Sequence, residues 1–194
     1  MSNFEYSLVN HFIHDLILLG MHPSNLKPYQ HALFRDWLPV AIGDPGMLMG
    51  MFLCACRDLY LRTGLKEYYW GTLQYKGKCL RYLSGSIATA PKMAQDRAES
   101  NVWDVIICTM LQLASDDLAA GDSAAWKSHI DAVAHMVKLN GGLENVRGMD
   151  GLLRRMIEVL ASKDCLQVRN ITSNGDNTAK LYTLDDIFGK CLFG

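Results

Sequence analysis

Apolar residues recur at every third or fourth position through about the first 160 residues, with polar residues between them. This spacing places apolar side chains on one face of an α-helix, where they can pack on a core. The stretch 122–142 shows the pattern most clearly, at Trp126, Ile130, Val133, Met136 and Val137. Asp122 or Ser123 can cap the start of this helix, and the pair Gly141-Gly142 can supply the left-handed residue that ends it. Both ends of the helix are therefore marked in the sequence.

The same periodicity predicts six further helices. Their approximate bounds are Asn3 to Leu19, Pro28 to Leu38, Met47 to Thr63, Lys66 to Ile87, Gln95 to Ala119 and Gly151 to Ser162. The third is apolar nearly all round from Met47 to Cys56, which is typical of a buried central helix. Short connections between consecutive helices favour antiparallel neighbours. We therefore predict an all-α fold, an antiparallel array of about seven helices, in a domain formed by residues 1–164.

Residues 165–194 follow a different pattern and form a separate C-terminal tail in our prediction. Residues 166–171 and 180–184 alternate between apolar and polar side chains, and residues 173–177 are turn-forming. This arrangement permits a β-hairpin, and a short irregular tail is the alternative. We expect the tail to pack on the helical domain or on a second copy of the chain.

Two sets of positions resemble the fungal-specific transcription factor domain. The first is the order Trp126, His129, Ala132-Val133 and the closing Gly141-Gly142, and the second is Tyr69, Lys76, Cys79-Leu80 and Leu83. The resemblance covers about residues 8–165, and the sequence departs from it at Ala132-Val133, where Gly-Ala is expected. It implies a helical regulatory region of the kind usually found downstream of a zinc binuclear cluster.

Charge and cysteine spacing argue against direct contact with nucleic acid. The chain has 19 basic and 20 acidic residues, and no basic run is longer than Arg154-Arg155. Proteins that bind DNA through its phosphates normally carry a basic face. None of the six cysteines forms a C-x2-C pair, whereas a zinc binuclear cluster needs six closely spaced cysteines. We therefore expect a truncated family member without the DNA-reading module.

The start of the sequence lacks the basic region and cleavage site of a secretory signal. No apolar run approaches the length of about 20 residues that a membrane-spanning helix needs. We expect no membrane span and a reduced intracellular location, cytoplasmic or nuclear.

The resemblance also predicts the oligomeric state. The family's helical region continues well past the glycine pair, whereas this sequence ends about thirty residues after Asp164. We therefore expect the last helix to lack its usual neighbours, along the apolar side formed by Leu152, Leu153, Met156, Ile157 and Leu160. Pairing with a second copy would cover this side, so we predict a homodimer, with internal capping by the tail as the alternative.

Few residues suggest catalysis or metal binding. His11, His14 and Asp15 have a spacing that places metal ligands on one helix face, but no second cluster offers further ligands, so we predict no metal. Asp131 and His135 lie four residues apart on one helix. They are candidates for a catalytic dyad, and an ordinary surface pair is the alternative.

His129 borders the apolar side of its helix beside Trp126. A buried neutral imidazole that donates to a backbone carbonyl is one interpretation. In the other, a pocket opens between this helix and the helices carrying Tyr69 and Trp103. Its aromatic lining would then be Trp126, His129, Tyr68, Tyr69 and Trp103.

Two functions fit these observations. The resemblance implies a stand-alone regulatory domain that binds a small hydrophobic effector or a protein partner without touching DNA. The alternative is a cofactor-independent enzyme of fungal secondary metabolism, a cyclase, isomerase or dehydratase that uses the aromatic pocket. Because no nucleotide-binding, hydrolase or zinc-protease motif occurs, we predict no cofactor for either.

Overall fold

The computed structural model describes residues 1–18, 25–96 and 101–161, and within these ranges every regular element is helical. Seven helices result, and we number them in chain order. Their bounds are α1, an α-helix Asn3–His11 that continues as a π-helix Phe12–Ile17; α2, Pro28–Ala32 continued by a π-helix Leu33–Trp37 and by Leu38–Gly43; α3, Pro45–Thr63; α4, Lys66–Asp96; α5, Asn101–Ala120; α6, Ser123–Leu139; and α7, Leu152–Leu160. The prediction of an all-α fold with about seven helices is confirmed. The predicted tail, residues 165–194, lies outside the described residues.

The ends of α6 lie where the sequence places them. The carboxylate of Asp122 accepts the backbone N–H of Ala125 at 3.0 Å. At the other end Gly141 and Gly142 have φ values of +88° and +116°. The N–H of Gly142 donates to the carbonyl of Val137 at 3.0 Å, and that of Gly141 donates to the carbonyl of Lys138. Glycine adopts these angles at little cost, so the pair ends the helix and turns the chain.

The predicted ends of the second and fourth helices are wrong. The second continues past Leu38 to Gly43, and we expected the fourth to end near Ile87. Instead α4 continues through Pro91 to Asp96. Proline removes a single backbone donor from a helix interior, and here the helix continues through that loss.

The central helix is α3, as predicted. Its largest apolar side chains are almost completely buried, and they are Met47, Met51, Phe52 and Leu53. The helix packs mainly on α4 and α5, with α1 and α2 against its remaining sides. Two of its glycines permit this close packing. A Cβ on Gly46 would lie 2.2 Å from the ring of Tyr82, and one on Gly50 would lie 2.1 Å from Oε1 of Gln112.

This packing predicts opposite effects for one substitution at two glycines. Gly50→Ala should destabilise the fold by about 1–3 kcal/mol, because the new methyl group displaces Gln112, whose amide donates to the carbonyl of Met47 at 3.0 Å. Gly85→Ala on the exposed side of α4, with no neighbouring atom within 4 Å, should stabilise it by roughly 0.5–1 kcal/mol. Urea unfolding measures both. A Gly50→Ala protein as stable as the Gly85→Ala protein would contradict the close packing.

The last helix does not lack neighbours. All five of its predicted apolar side chains are buried, with at most 7% of any of them exposed: Leu152, Leu153, Met156, Ile157 and Leu160. The helix packs on α5 and on the π-helical segment of α2. The expectation that α7 exposes an unpartnered apolar side is therefore wrong. We expected the missing neighbours because the family's helical region continues beyond α7. The helices that pack on α7 instead precede it in the chain.

No single helix among the described residues is long and apolar enough to cross a membrane. Helices Pro28–Gly43 and Pro45–Thr63 reach the required length and composition only as a pair, and that pair is bent by 114°.

Candidate functional site

Charged side chains from four helices meet in a buried cluster. We call this the ionic cluster, and its members are Arg57 of α3, Lys76 of α4, Asp116 and Asp117 of α5, and His129 of α6. The carboxylates of Asp116 and Asp117 are fully shielded from solvent. Burying a carboxylate is costly unless a cation and hydrogen bonds compensate it. Both carboxylates therefore need cations close by.

Two cations neutralise the two carboxylates. The Arg57 guanidinium donates to both oxygens of Asp116, from Nε at 2.7 Å and from Nη2 at 3.3 Å. The Lys76 ammonium bridges the pair, at 3.2 Å from Oδ2 of Asp116 and in a hydrogen bond to Oδ1 of Asp117. Burial by itself lowers the pKa of Lys76, but the carboxylates outweigh it and the pKa is raised. The cluster thus balances its own charge and ties α3, α4 and α5 together.

His129 completes the ionic cluster from α6. Its Nε2 lies 3.3 Å from Oδ2 of Asp117. That oxygen is buried and accepts no hydrogen bond from any described residue, so the contact is poorly aligned. Burial lowers the pKa of His129, which favours the neutral ring, and nearby Lys76 acts in the same direction, while Asp117 opposes them. The ring is partly buried, with 19% of the side chain exposed, and it faces a carboxylate and not a backbone carbonyl, so the predicted buried neutral imidazole stays a prediction.

The other candidate residues for catalysis lie on the surface. Asp131 is exposed and pairs with Lys127 at 2.7 Å. His135 is exposed as well, and within the described part of the chain no hydrogen bond joins it to Asp131. On α1, His11 lies between Asp15 at 2.9 Å and Asp58 of α3 at 2.7 Å. Among the described residues no group of three or more His, Cys, Asp or Glu side chains is placed to hold a metal ion.

The aromatic residues of the predicted pocket are spread over several helices. Trp126 is buried in the core, and its indole N–H has no hydrogen-bond partner among the described residues. Tyr68 stacks on Phe4 of α1 with 6.1 Å between ring centroids. The ring of Tyr69 packs against that of Tyr60 on α3, with 5.3 Å between the ring centroids. Trp103 is partly buried against the core from the start of α5.

A cleft of about 300 Å³ opens between the second half of α4 and the first two turns of α5. Its lining is mainly apolar, with a few polar groups, and consists of Asp44, Tyr82, Ser86, Thr89, Val102, Val105 and Ile106. The predicted pocket was bounded by the Trp126 helix as well as by the helices carrying Tyr69 and Trp103. This cleft lies between the latter two helices, and none of the predicted lining residues lines it, so that pocket stays a prediction. Neither Tyr82 nor Asp44 was among the residues that the sequence pattern marked for the site.

The polar end of the cleft has a defined geometry. The hydroxyl of Tyr82 donates to Oδ2 of Asp44 at 2.7 Å. The second carboxylate oxygen of Asp44 accepts the N–H of Met47 at 2.9 Å and so caps α3. Burial, followed by the bond to Asp44, raises the pKa of Tyr82 to about 12, so the phenol stays neutral. The cleft therefore offers apolar walls and a fixed pair of polar groups.

Another buried carboxylate lies near the start of α5. Asp104 is 3% exposed and accepts the backbone N–H of Gly148, while its Oδ1 has no hydrogen-bond partner among the described residues. Burial raises the pKa of Asp104 to about 6. The loop that covers it follows Gly148 with three residues at positive φ, Met149, Asp150 and Gly151. No feature of the sequence marked Asp104, because its partner comes from a loop forty-odd residues later.

The profile of the fungal specific transcription factor domain matches residues 7–185, which is most of the chain. The chain belongs to this family. No curated protein and no solved structure matches the chain. Membership of the family supports a regulatory domain role.

In this fungal-specific transcription factor domain, the positions that carried the resemblance have defined structural roles. Lys76 and His129 come from different helices and both contact Asp117. Trp126 is buried in the core. The glycine pair ends α6 and leads into the loop whose Gly148 binds Asp104. One position from each set, Lys76 and His129, therefore takes part in joining α4, α5 and α6.

Proposed function

We propose that this regulatory domain binds a small, largely apolar effector in the cleft between α4 and α5. The supporting observation is the cleft itself, about 300 Å³ of space with valine and isoleucine walls. This volume is at the lower end of the range for small-molecule sites, which are mostly apolar with a few fixed polar groups. The Asp44 and Tyr82 pair would provide those polar groups and orient one end of the effector.

The position of Asp44 suggests how binding would be transmitted. Its carboxylate touches the cleft through Tyr82 and holds the first turn of the central helix through Met47. An effector that accepts a hydrogen bond from the Tyr82 hydroxyl would weaken the bond between Tyr82 and Asp44, and so alter how Asp44 holds the N–H of Met47. Since α3 packs on α4, α5, α1 and α2, a change at its start would reach most of the domain. A ligand shifts a conformational equilibrium only through such differential contacts.

Filling the cleft tests the proposal. A neutral apolar fluorophore, 1-aminoanthracene, should bind the full chain saturably, with a rise in fluorescence. Ser86→Phe places a ring in the cleft and should weaken this binding about tenfold or more, since the probe loses its space. Ser84→Phe, an exposed position on the same helix outside the lining, is the matched control and should bind like the unmodified protein. Equal affinity in both folded variants would place the binding site elsewhere.

The homodimer stays a prediction, and α7 is removed from it as the pairing surface because its apolar side is buried. Light scattering at micromolar concentration measures the state directly. A mass near 21.7 kDa means a monomer, and about twice that mass supports the dimer.

We further propose that the domain acts inside the cell, in the nucleus or cytoplasm, without contacting DNA itself.

We prefer effector binding to the alternative of a cofactor-independent enzyme. Asp131, the carboxylate of the candidate dyad, is exposed and already paired with Lys127. His129 faces Asp117, a carboxylate already neutralised by Lys76. A general base needs a free path to a substrate proton and a partner that orients it. His135 has no hydrogen bond to Asp131 among the described residues, and the carboxylate beside His129 is already held by Lys76, so neither histidine has a partner free to orient it as a base.

A further inference from the structure

The outer face of α4 carries an unusual density of exposed apolar side chains. Five of the eleven exposed large hydrophobic residues that the structure describes lie between positions 65 and 80. Four of them form what we call the α4 stripe: Tyr69, Trp70, Leu73 and Leu80, with exposed fractions of 38%, 64%, 43% and 45%. Single exposed apolar residues are ordinary, but a contiguous set marks an interaction surface.

The stripe has the geometry of a seat for a helix. Its members are spaced by three, four and seven residues, so they lie along one side of α4. Gly77 lies between Leu73 and Leu80. A Cβ at Gly77 would have only Nη1 of Arg81 nearby, at 3.6 Å. Because glycine has no side chain, the surface has a shallow depression in the middle of the stripe. An amphipathic helix that presents apolar residues at matching intervals fits such a surface.

The charges beside the stripe select the partner. Lys66, Lys78 and Arg81 flank it, and Glu67 is the only acidic residue of α4 in the range 66–89. Lys66 and Arg81 are exposed and form no ion pair with any described residue, and Lys78 lies over the ring of Tyr75 at 4.7 Å. A second copy of the chain would bring like charges together, which disfavours self-pairing through this face. An acidic partner gains from the same charges.

We propose that the α4 stripe is a docking site for an acidic amphipathic helix of a protein partner. Apolar side chains of the partner would cover Trp70, Leu73 and Leu80, and its carboxylates would pair with Lys66 and Arg81. The proposal is independent of effector binding, because the residues of the stripe do not line the cleft.

A designed peptide pair tests the docking site. The probe is a fluorescein-labelled helical peptide of about 18 residues, long enough to span the stripe, with leucines on one face and glutamates on both sides of it. Its partner probe carries lysines in place of the glutamates. By fluorescence anisotropy the acidic peptide should bind the full chain, at least about tenfold more tightly than the basic one. Trp70→Ala and Leu73→Ser should weaken this binding about tenfold, and Arg81→Glu should weaken it several-fold.

The controls separate the stripe from other surfaces. Leu139→Ser alters an exposed leucine on α6 and should leave binding unchanged. Equal affinity for the acidic and basic peptides, or binding that survives Trp70→Ala in a folded protein, would overturn the proposal. Light scattering that finds a dimer separated by Leu73→Asp would assign the stripe to a second copy instead. A photo-crosslinker at position 73 that reacts with residues 162–194 would assign it to the chain's own C-terminal segment.

Discussion

Asp116→Ala is expected to destabilise the domain by about 3–5 kcal/mol, the typical cost of removing one partner from a buried ion pair. The substitution leaves the guanidinium of Arg57, which is 13% exposed, without either of its two bonds to Asp116. It also removes one of the two carboxylates that Lys76 bridges. Chemical unfolding measures the loss. A domain of this size is stable by only about 5–15 kcal/mol in total, so the variant should be close to unfolding.

Two comparisons show whether the loss comes from unpaired charge. Asp131→Ala removes the exposed carboxylate that pairs with Lys127 and should cost less than about 1 kcal/mol. Combining Asp116→Leu with Arg57→Met replaces both charges by apolar groups and should cost less than Asp116→Ala alone. A double variant that loses the sum of two separate single losses would mean that Arg57 and Asp116 do not act as a pair.

Asp104→Asn is expected to stabilise the domain at pH 7.5 and to change how stability depends on pH. The pKa of the buried carboxyl is about 6 in the folded chain, against 3.8 for an unperturbed aspartate. Between these values the folded chain binds more protons than the unfolded chain. The free energy of unfolding therefore falls as pH rises through this window and stays lower above it. The difference corresponds to roughly 3 kcal/mol, of which we expect asparagine to recover about 1–3 kcal/mol.

Urea unfolding at several pH values between 4 and 7.5 tests this expectation. At pH 4 the two proteins should differ least in stability, because Asp104 is protonated in the folded chain and only partly ionised in the unfolded chain. The difference should appear as pH rises towards about 6 and then stay constant. His129, whose pKa is lowered by burial, contributes with the opposite sign in both proteins and cancels in the comparison. A variant less stable than the original at every pH would mean that the Gly148 bond needs a carboxylate.

The sequence predicted the helices well where local chemistry determines them. The caps of α6, the glycine after α3 and the apolar periodicity of α7 depend on neighbouring residues, and all three lie where expected. The π-helical segments Phe12–Ile17 and Leu33–Trp37 were not predicted. A single π-helical turn hardly changes the spacing of apolar residues from that of an α-helix, so the sequence pattern does not reveal it.

The candidate site was harder to predict because its residues are distant in sequence. Arg57 and Asp116 are 59 residues apart, and Tyr82 and Asp44 are 38 apart. Pattern reasoning detects neighbours three or four positions away, which is why it favoured Asp131 and His135. The resemblance gave better guidance, since it drew attention to Lys76 and His129, which both contact Asp117. Their common partner Asp117, however, belongs to no sequence pattern that marks it as a site residue.

The central claim, that an apolar effector binds between α4 and α5, is tested most directly by mapping the bound probe. Amide resonances of the isotope-labelled full chain would be recorded by NMR during titration with 1-aminoanthracene. We expect saturable shifts centred on Tyr82, Ser86 and Val105, with smaller ones at Met47, where Asp44 caps the central helix. Shifts centred instead on Trp126 and His129, or an absence of saturable shifts, would contradict it.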